Sequence, residues 1–128
     1  MPNSKITVTR SLALNRESAG AIIGIKGYLL GKIIRLKPDQ RVLLGRDASQ
    51  CDILLMGDMV SRVHCSIYFD GDKGKYIVND LSTNGILVDQ KYMLKKRQNT
   101  ELQPGSQLFI GSEDNIICLL YTSDAADE

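Results

Sequence analysis

Three polar clusters hold the side chains of this chain that could do chemistry: Gly45-Arg46, Ser61-Arg62-Val63-His64 and Asn79-Asp80-Leu81-Ser82-Thr83-Asn84-Gly85. Arg46 offers a planar guanidinium fork that suits bidentate binding of a carboxylate or phosphate. Ser61 and Thr83 offer hydroxyls that can donate to an anion's oxygens, and Arg62 adds a second cation or a backbone N–H. The Asn84 amide carries both a donor and an acceptor, a pair that suits the main chain of an extended peptide. Taken one at a time these residues also read as a solvated arginine and ordinary turn formers. Taken together they read as a small anion pocket. A different chemistry would join Ser61, His64 and Asp80 as a hydrolytic triad. Ser61 and His64 stand three apart at what reads as one strand start, so their side chains should face opposite ways. No Gly-x-Ser-x-Gly elbow surrounds Ser61. His64, the only histidine, is therefore read as a hydrogen-bonded structural residue.

Each cluster lies where an apolar run stops or starts, so each belongs to a loop between strands. Ala21–Ile25 is rich in β-branched residues, and 27–31 is a glycine-bounded turn. Lys32–Leu36 follows, closed by Lys37-Pro38-Asp39-Gln40, a turn signal. Arg41–Gly45 leads into the first cluster, and Ile53–Leu55 is short. Val63, Cys65, Ile67 and Phe69 alternate with Arg62, His64, Ser66 and Tyr68 in strict period two, predicting one strand that Ser61-Arg62 opens. Asp70–Gly74 is a hairpin loop, and Lys75–Asn79 returns antiparallel. Ile86–Val88, a turn at Gln103–Ser106, Gln107–Gly111 and Ile116 onward complete the pattern. Leu94–Leu102 could hold one helical turn and no more. About ten or eleven short strands at close spacing predict an antiparallel β-sandwich, whose loops gather at its two ends. Function is usually carried on such loops.

A chain of 128 residues is enough for one domain with one core. No apolar run approaches the roughly 20 residues of a membrane helix, and no apolar stretch behind Met1–Lys5 suggests a signal peptide. The expected compartment is the cytoplasm, with no membrane partner. A net charge of +1 and an aromatic content of 5% argue against a nucleic-acid binder. Lys95-Lys96-Arg97 reads as a solvated basic loop. The three cysteines show no metal-ligand spacing, and no Gly-x-x-x-x-Gly-Lys phosphate loop is present. Neither a metal nor a cofactor is expected.

The order Gly45-Arg46, then Ser61-Arg62-Val63-His64, then Ser82-Thr83-Asn84-Gly85, set in short strands, closely resembles the forkhead-associated (FHA) domain. The resemblance covers about residues 21–120. It implies an all-β, eleven-stranded antiparallel β-sandwich of the FHA (SMAD/FHA-like) type. It also implies a non-enzymatic module that binds phosphothreonine in partner proteins, downstream of Ser/Thr kinases. The partner would be a phosphothreonine-containing protein such as a kinase or its substrate. By position, Arg46 and Ser61 match the residues that contact phosphate, and Arg62 matches one that assists them. Thr83 matches the residue that touches the phosphothreonine, and Asn84 the one that holds the peptide main chain. Gly45, His64 and Gly85 match positions that shape the loops. Ile86 and Asp89-Gln90 depart from the family's usual threonine and Asn-Gly turn. A phosphate-independent scaffold on the same fold is the competing expectation.

The expected organisation is a flexible arm over 1–20, the domain over 21–117 and a tail over 118–128. The tail resembles the in-frame translation of a sequencing adapter, although it could still serve as the end of the last strand. Without Asp124, Asp127 and Glu128 the net charge would move from +1 to +4. Thr7 and Thr9 on the arm are candidate kinase sites that would supply an internal or intermolecular ligand.

Overall fold

The computed structural model describes residues 18–123. Eleven strands form two packed sheets, and no helix occurs among the described residues. The first sheet runs β2 (Ile33–Leu36), β1 (Ser18–Lys26), β11 (Ile116–Ser123), β10 (Gln107–Ile110), β7 (Ile86–Val88) and β8 (Tyr92–Met93). The second runs β4 (Ile53–Leu54), β3 (Arg41–Gly45), β5 (Cys65–Asp70), β6 (Lys75–Asp80) and β9 (Asn99–Leu102). Pairing is antiparallel except between β3 and the two-residue β4. The sandwich is the one the strand spacing predicts.

Period two decides what faces inward. Leu44 on β3, Cys65, Ile67 and Phe69 on β5, and Tyr76 and Val78 on β6 meet Ile22 of β1, Leu108 of β10 and Ile117 and Leu119 of β11 in one buried cluster. Each fully buried aliphatic or Phe side chain contributes roughly 1.5–3 kcal/mol relative to exposure. Tyr76 ties the two layers together. Its hydroxyl accepts from the Ala21 N–H at 2.8 Å and donates to the Leu120 carbonyl. Burial raises its pKa to about 12, so the phenol stays protonated and able to donate.

Several boundaries differ from the sequence reading. Ser18 to Gly20 belong to β1, opposite Ser123 to Tyr121, and not to an arm. Positions 118–123 continue β11 in register with β1, with Leu119 in the core, so this segment does form a strand end. The expected phosphosites Thr7 and Thr9, with the rest of the arm, lie outside the described residues. No helical turn forms in 94–102. Asn99–Leu102 pairs with β6 as β9, with only Leu102 of the four buried. The strand opening at Ser61 is also corrected, because β5 begins at Cys65. Ser61 to His64 form a loop in which the Ser61 N–H turns to meet the ring of His64 at 3.1 Å. A local side-chain acceptor there competes with ladder pairing.

Candidate functional site

β3 ends at Gly45, β6 ends at Asp80, β7 starts at Ile86, β10 ends at Ile110 and β11 starts at Ile116. The antiparallel order brings these termini to one end of the sandwich, and the three polar clusters with them. Hydrogen bonds between loops then fix their positions. Arg46 N–H donates to the Ser61 carbonyl and Asp47 N–H to the Arg62 carbonyl, both at 3.1 Å. This approach needs Gly45, where a Cβ would stand 2.2 Å from the Arg62 carbonyl oxygen. Arg46 Nε donates to the Val60 carbonyl at 2.8 Å. That bond holds one edge of the guanidinium, and its terminal nitrogens have no acceptor among the described residues.

Ser61 Oγ accepts from the Thr83 N–H at 3.1 Å, which leaves the Ser61 hydroxyl proton free to donate. The Thr83 hydroxyl has no partner among the described residues, and Thr83 and Asn84 are both exposed. Asn84 Nδ2 donates to the Met59 carbonyl at 3.1 Å, so its amide plane is anchored to the loop between β4 and β5. Gly85 makes the turn into β7 with φ +89, a region that favours glycine.

His64 is the buried hinge of this end, with no exposed surface. Its Nδ1 accepts from the Ser61 N–H, so Nε2 carries the proton and donates to the Gly85 carbonyl at 2.9 Å. The same carbonyl accepts from the Gly111 N–H at 2.9 Å. Burial lowers the His64 pKa below the ordinary imidazole value, opposed by the Gly85 bond and the nearby Asp80 charge. With Nδ1 accepting and Nε2 donating, the ring is held as a doubly hydrogen-bonded neutral imidazole. Asp80 Oδ1 accepts from the Ser82 N–H and hydroxyl. The triad is excluded on this geometry: His64 Nδ1 accepts from the Ser61 N–H and not from its hydroxyl, and Asp80 accepts from Ser82.

Arg62 lies beside the cluster with an exposed side chain. Its guanidinium makes no hydrogen bond among the described residues, and it lowers the pKa of Asp47 as a minor influence. Hydrogen bonds from Ser49 and then Gln50 are the larger causes that bring Asp47 to about 2. Two contributors escaped the sequence reading. Lys96, read as a solvated residue, donates from Nζ to the Ser82 and Thr83 carbonyls at 2.8 and 2.9 Å. Buried Asn115 donates to the Met56 carbonyl at 3.1 Å and accepts from the Tyr28 N–H at 3.0 Å, tying three loops. The basic run drew notice to Lys96, but nothing local marks Asn115. Beside Asn84 a groove of about 460 Å³ continues over Leu87, Met93 and Phe109 to Gly111, Ser112 and Glu113.

The family model of the FHA domain matches residues 42–111, more than half of the chain. Among curated proteins, the meiosis-specific serine/threonine-protein kinase MEK1 of Saccharomyces cerevisiae is 30% identical over 108 residues. The match takes in 71% of this chain but 22% of that kinase, so the chain spans about a fifth of the relative's length. An Arabidopsis thaliana FHA domain solved in solution superposes with a TM-score of 0.73 at 24% identity, over 82% of this chain and 86% of that one. The N-terminal FHA domain of S. cerevisiae Rad53p, solved with a phosphothreonine peptide, gives 0.64 at 23% identity, over 85% and 96%. At those identities the two structures speak for the fold. With the family model covering all three clusters, the chain belongs to the FHA domain family.

Proposed function

We propose that this domain is a phosphothreonine-peptide-binding interaction module, acting downstream of Ser/Thr kinases and without catalytic activity of its own. The observation that carries the reading is the half-satisfied donor set. Arg46 is braced through Nε with its terminal nitrogens free, next to the free hydroxyl protons of Ser61 and Thr83. Phosphorylation adds roughly 1.5 to 2 negative charges and three strong acceptor oxygens to a threonine. Those oxygens would take the Arg46 fork and the two hydroxyls, with Arg62 adding positive charge at the rim. A neutral threonine would leave the guanidinium unpaired. The Asn84 side-chain oxygen, which has no partner among the described residues, would accept from the peptide main chain. The groove beyond Asn84 would receive side chains that follow the phosphothreonine, and its Leu87, Met93 and Phe109 lining suits apolar ones.

The Rad53p domain solved with a phosphothreonine peptide supports carrying this chemistry to the present chain. So does the kinase relative, in suggesting a partner that is a Ser/Thr kinase or its substrate. Titration calorimetry of Arg46→Ala tests the pocket. Binding of a phosphothreonine peptide is expected to weaken at least ~30-fold, from the 2–5 kcal/mol typical of truncating one member of a hydrogen-bonded charge pair. The melting temperature should be nearly unchanged. Equal affinity for variant and wild type would sink the assignment.

A further inference from the structure

We infer that Lys96 is a positioning residue of the phosphothreonine site, acting from behind the loop that carries Thr83 and Asn84. The inference rests on the function proposed above. The segment leading into β9 passes beneath the loop joining β6 and β7. Lys96 forms a parallel bridge with Asp80, and Arg97 N–H donates to the Asp80 carbonyl at 2.8 Å. This delivers Lys96 Nζ to the Ser82 and Thr83 carbonyls at 2.8 and 2.9 Å.

In a planar trans peptide the carbonyl and the following N–H point in opposite directions. Drawing the Ser82 carbonyl towards Lys96 therefore turns the Thr83 N–H away from it, and that N–H is found donating to Ser61 Oγ at 3.1 Å. Drawing the Thr83 carbonyl the same way turns the Asn84 N–H to the side of the loop away from Lys96. No acceptor takes that N–H among the described residues. Lys96 also faces Asp80, whose Oδ2 is buried without a hydrogen-bond partner, at 4.0 Å. Asp80 in turn holds the Ser82 N–H and hydroxyl, and Ser82 Oγ accepts from the Gly85 N–H at 2.7 Å. One ammonium thus orients two successive peptide planes and offsets the buried carboxylate that shapes the turn. Its action on the ligand runs through the backbone, where a rim cation would act by field alone.

The test compares wild type, Lys96→Met and Lys96→Arg in two readouts. The first is phosphothreonine-peptide affinity at about 0.1 M and 1 M salt, where the screening length falls from roughly 10 Å to 3 Å. The second is amide hydrogen exchange of Thr83 in the free protein. Lys96→Met is expected to weaken binding about tenfold at both salt concentrations, equivalent to about 1.4 kcal/mol. Thr83 exchange should quicken by a similar factor, and Lys96→Arg should recover most of both. Loss of the affinity difference at 1 M salt would make Lys96 a plain attracting charge and overturn the inference. Unchanged Thr83 exchange in Lys96→Met would overturn it too, whatever binds. Failure of wild type to bind any phosphothreonine peptide would instead remove the function proposed above, and the exchange readout would still decide the role of Lys96.

Discussion

Replacing His64 by alanine strikes the point where the loops at this end of the sandwich are joined. The ring has no exposed surface. Its loss strands the Ser61 N–H, whose acceptor at 3.1 Å is Nδ1. The Gly85 carbonyl is harmed less, because the Gly111 N–H still reaches it at 2.9 Å. The half-buried Ser61 N–H stands at the lower end of the cost of an unsatisfied donor, about 1 kcal/mol, and a large-to-small change at the fully buried ring adds about 2–4 kcal/mol of lost contact and cavity. The expected destabilisation is therefore about 3–5 kcal/mol. At roughly 4 °C per kcal/mol for a domain near 100 residues, the melting temperature should fall by about 10–20 °C. Circular dichroism or calorimetric melts read this directly. Binding, measured well below the transition, should weaken about tenfold or more because Ser61 and Gly85 lose their common anchor. His64→Asn is the informative companion, since its Oδ1 can stand where Nδ1 stood and keep the Ser61 bond. It should recover part of the lost stability. A melting temperature of His64→Ala within a degree or two of wild type would refute the reasoning.

Other perturbations follow from the same geometry. His64 has a folded pKa below the unfolded value near 6.5, so its contribution is fully present above pH 6.5 and is lost as pH falls through the lower folded value. Melting temperature should drop on acidification below 6.5 in wild type, with a shallower slope in His64→Asn, and equal slopes would remove the assignment to His64. Gly45→Ala should lower stability by about 1–3 kcal/mol through overpacking and loosen the Ser61 loop, because the new methyl meets the Arg62 carbonyl oxygen at 2.2 Å. A variant as stable as wild type and equally tight-binding would contradict that contact. Gln90→Gly should be neutral to stabilising by up to about 1 kcal/mol, since it relieves a left-handed conformation that β-branched and long side chains resist, and thermal melts that show a clear loss would count against it.

The sandwich was readable because its central strands obey period two. Ile67 and Phe69 are fully buried where Tyr68 and Asp70 are only partly so, and the Asp70–Gly74 loop closes their hairpin through the Gly74 N–H to Asp70 carbonyl bond at 2.8 Å. β8 and β9 were not readable, because Tyr92–Met93 and Asn99–Leu102 are held by backbone pairing and bury almost nothing. The turn at Asp89-Gln90 lacks the Asn-Gly pair usual for a hairpin, yet both residues adopt positive φ, 53 and 57. There the partner strands impose the turn: Asp89 N–H donates to the Gln107 carbonyl at 2.9 Å, and Asp89 Oδ1 accepts from the Gln107 N–H at 2.8 Å. At the site, residue types and spacing pointed to Arg46, Ser61, Thr83 and Asn84. The braces that position them join residues 13 to 59 apart in sequence, as with Lys96 to Thr83, His64 to Gly85 and Asn115 to Met56. Such pairs leave no periodic or local signal, so only the fold exposes them.

The sharpest single measurement is a titration of wild-type protein with matched peptide sets carrying threonine, phosphothreonine or phosphoserine at one position in varied flanking sequence. Phosphothreonine peptides should bind, with a preference over phosphoserine, and their unphosphorylated forms should bind at least about a hundredfold more weakly, as expected if two or more charge-assisted bonds of about 1.5–3 kcal/mol each depend on the phosphate. Equal affinity for phosphorylated and unphosphorylated threonine would instead mark this fold as a phosphate-independent scaffold.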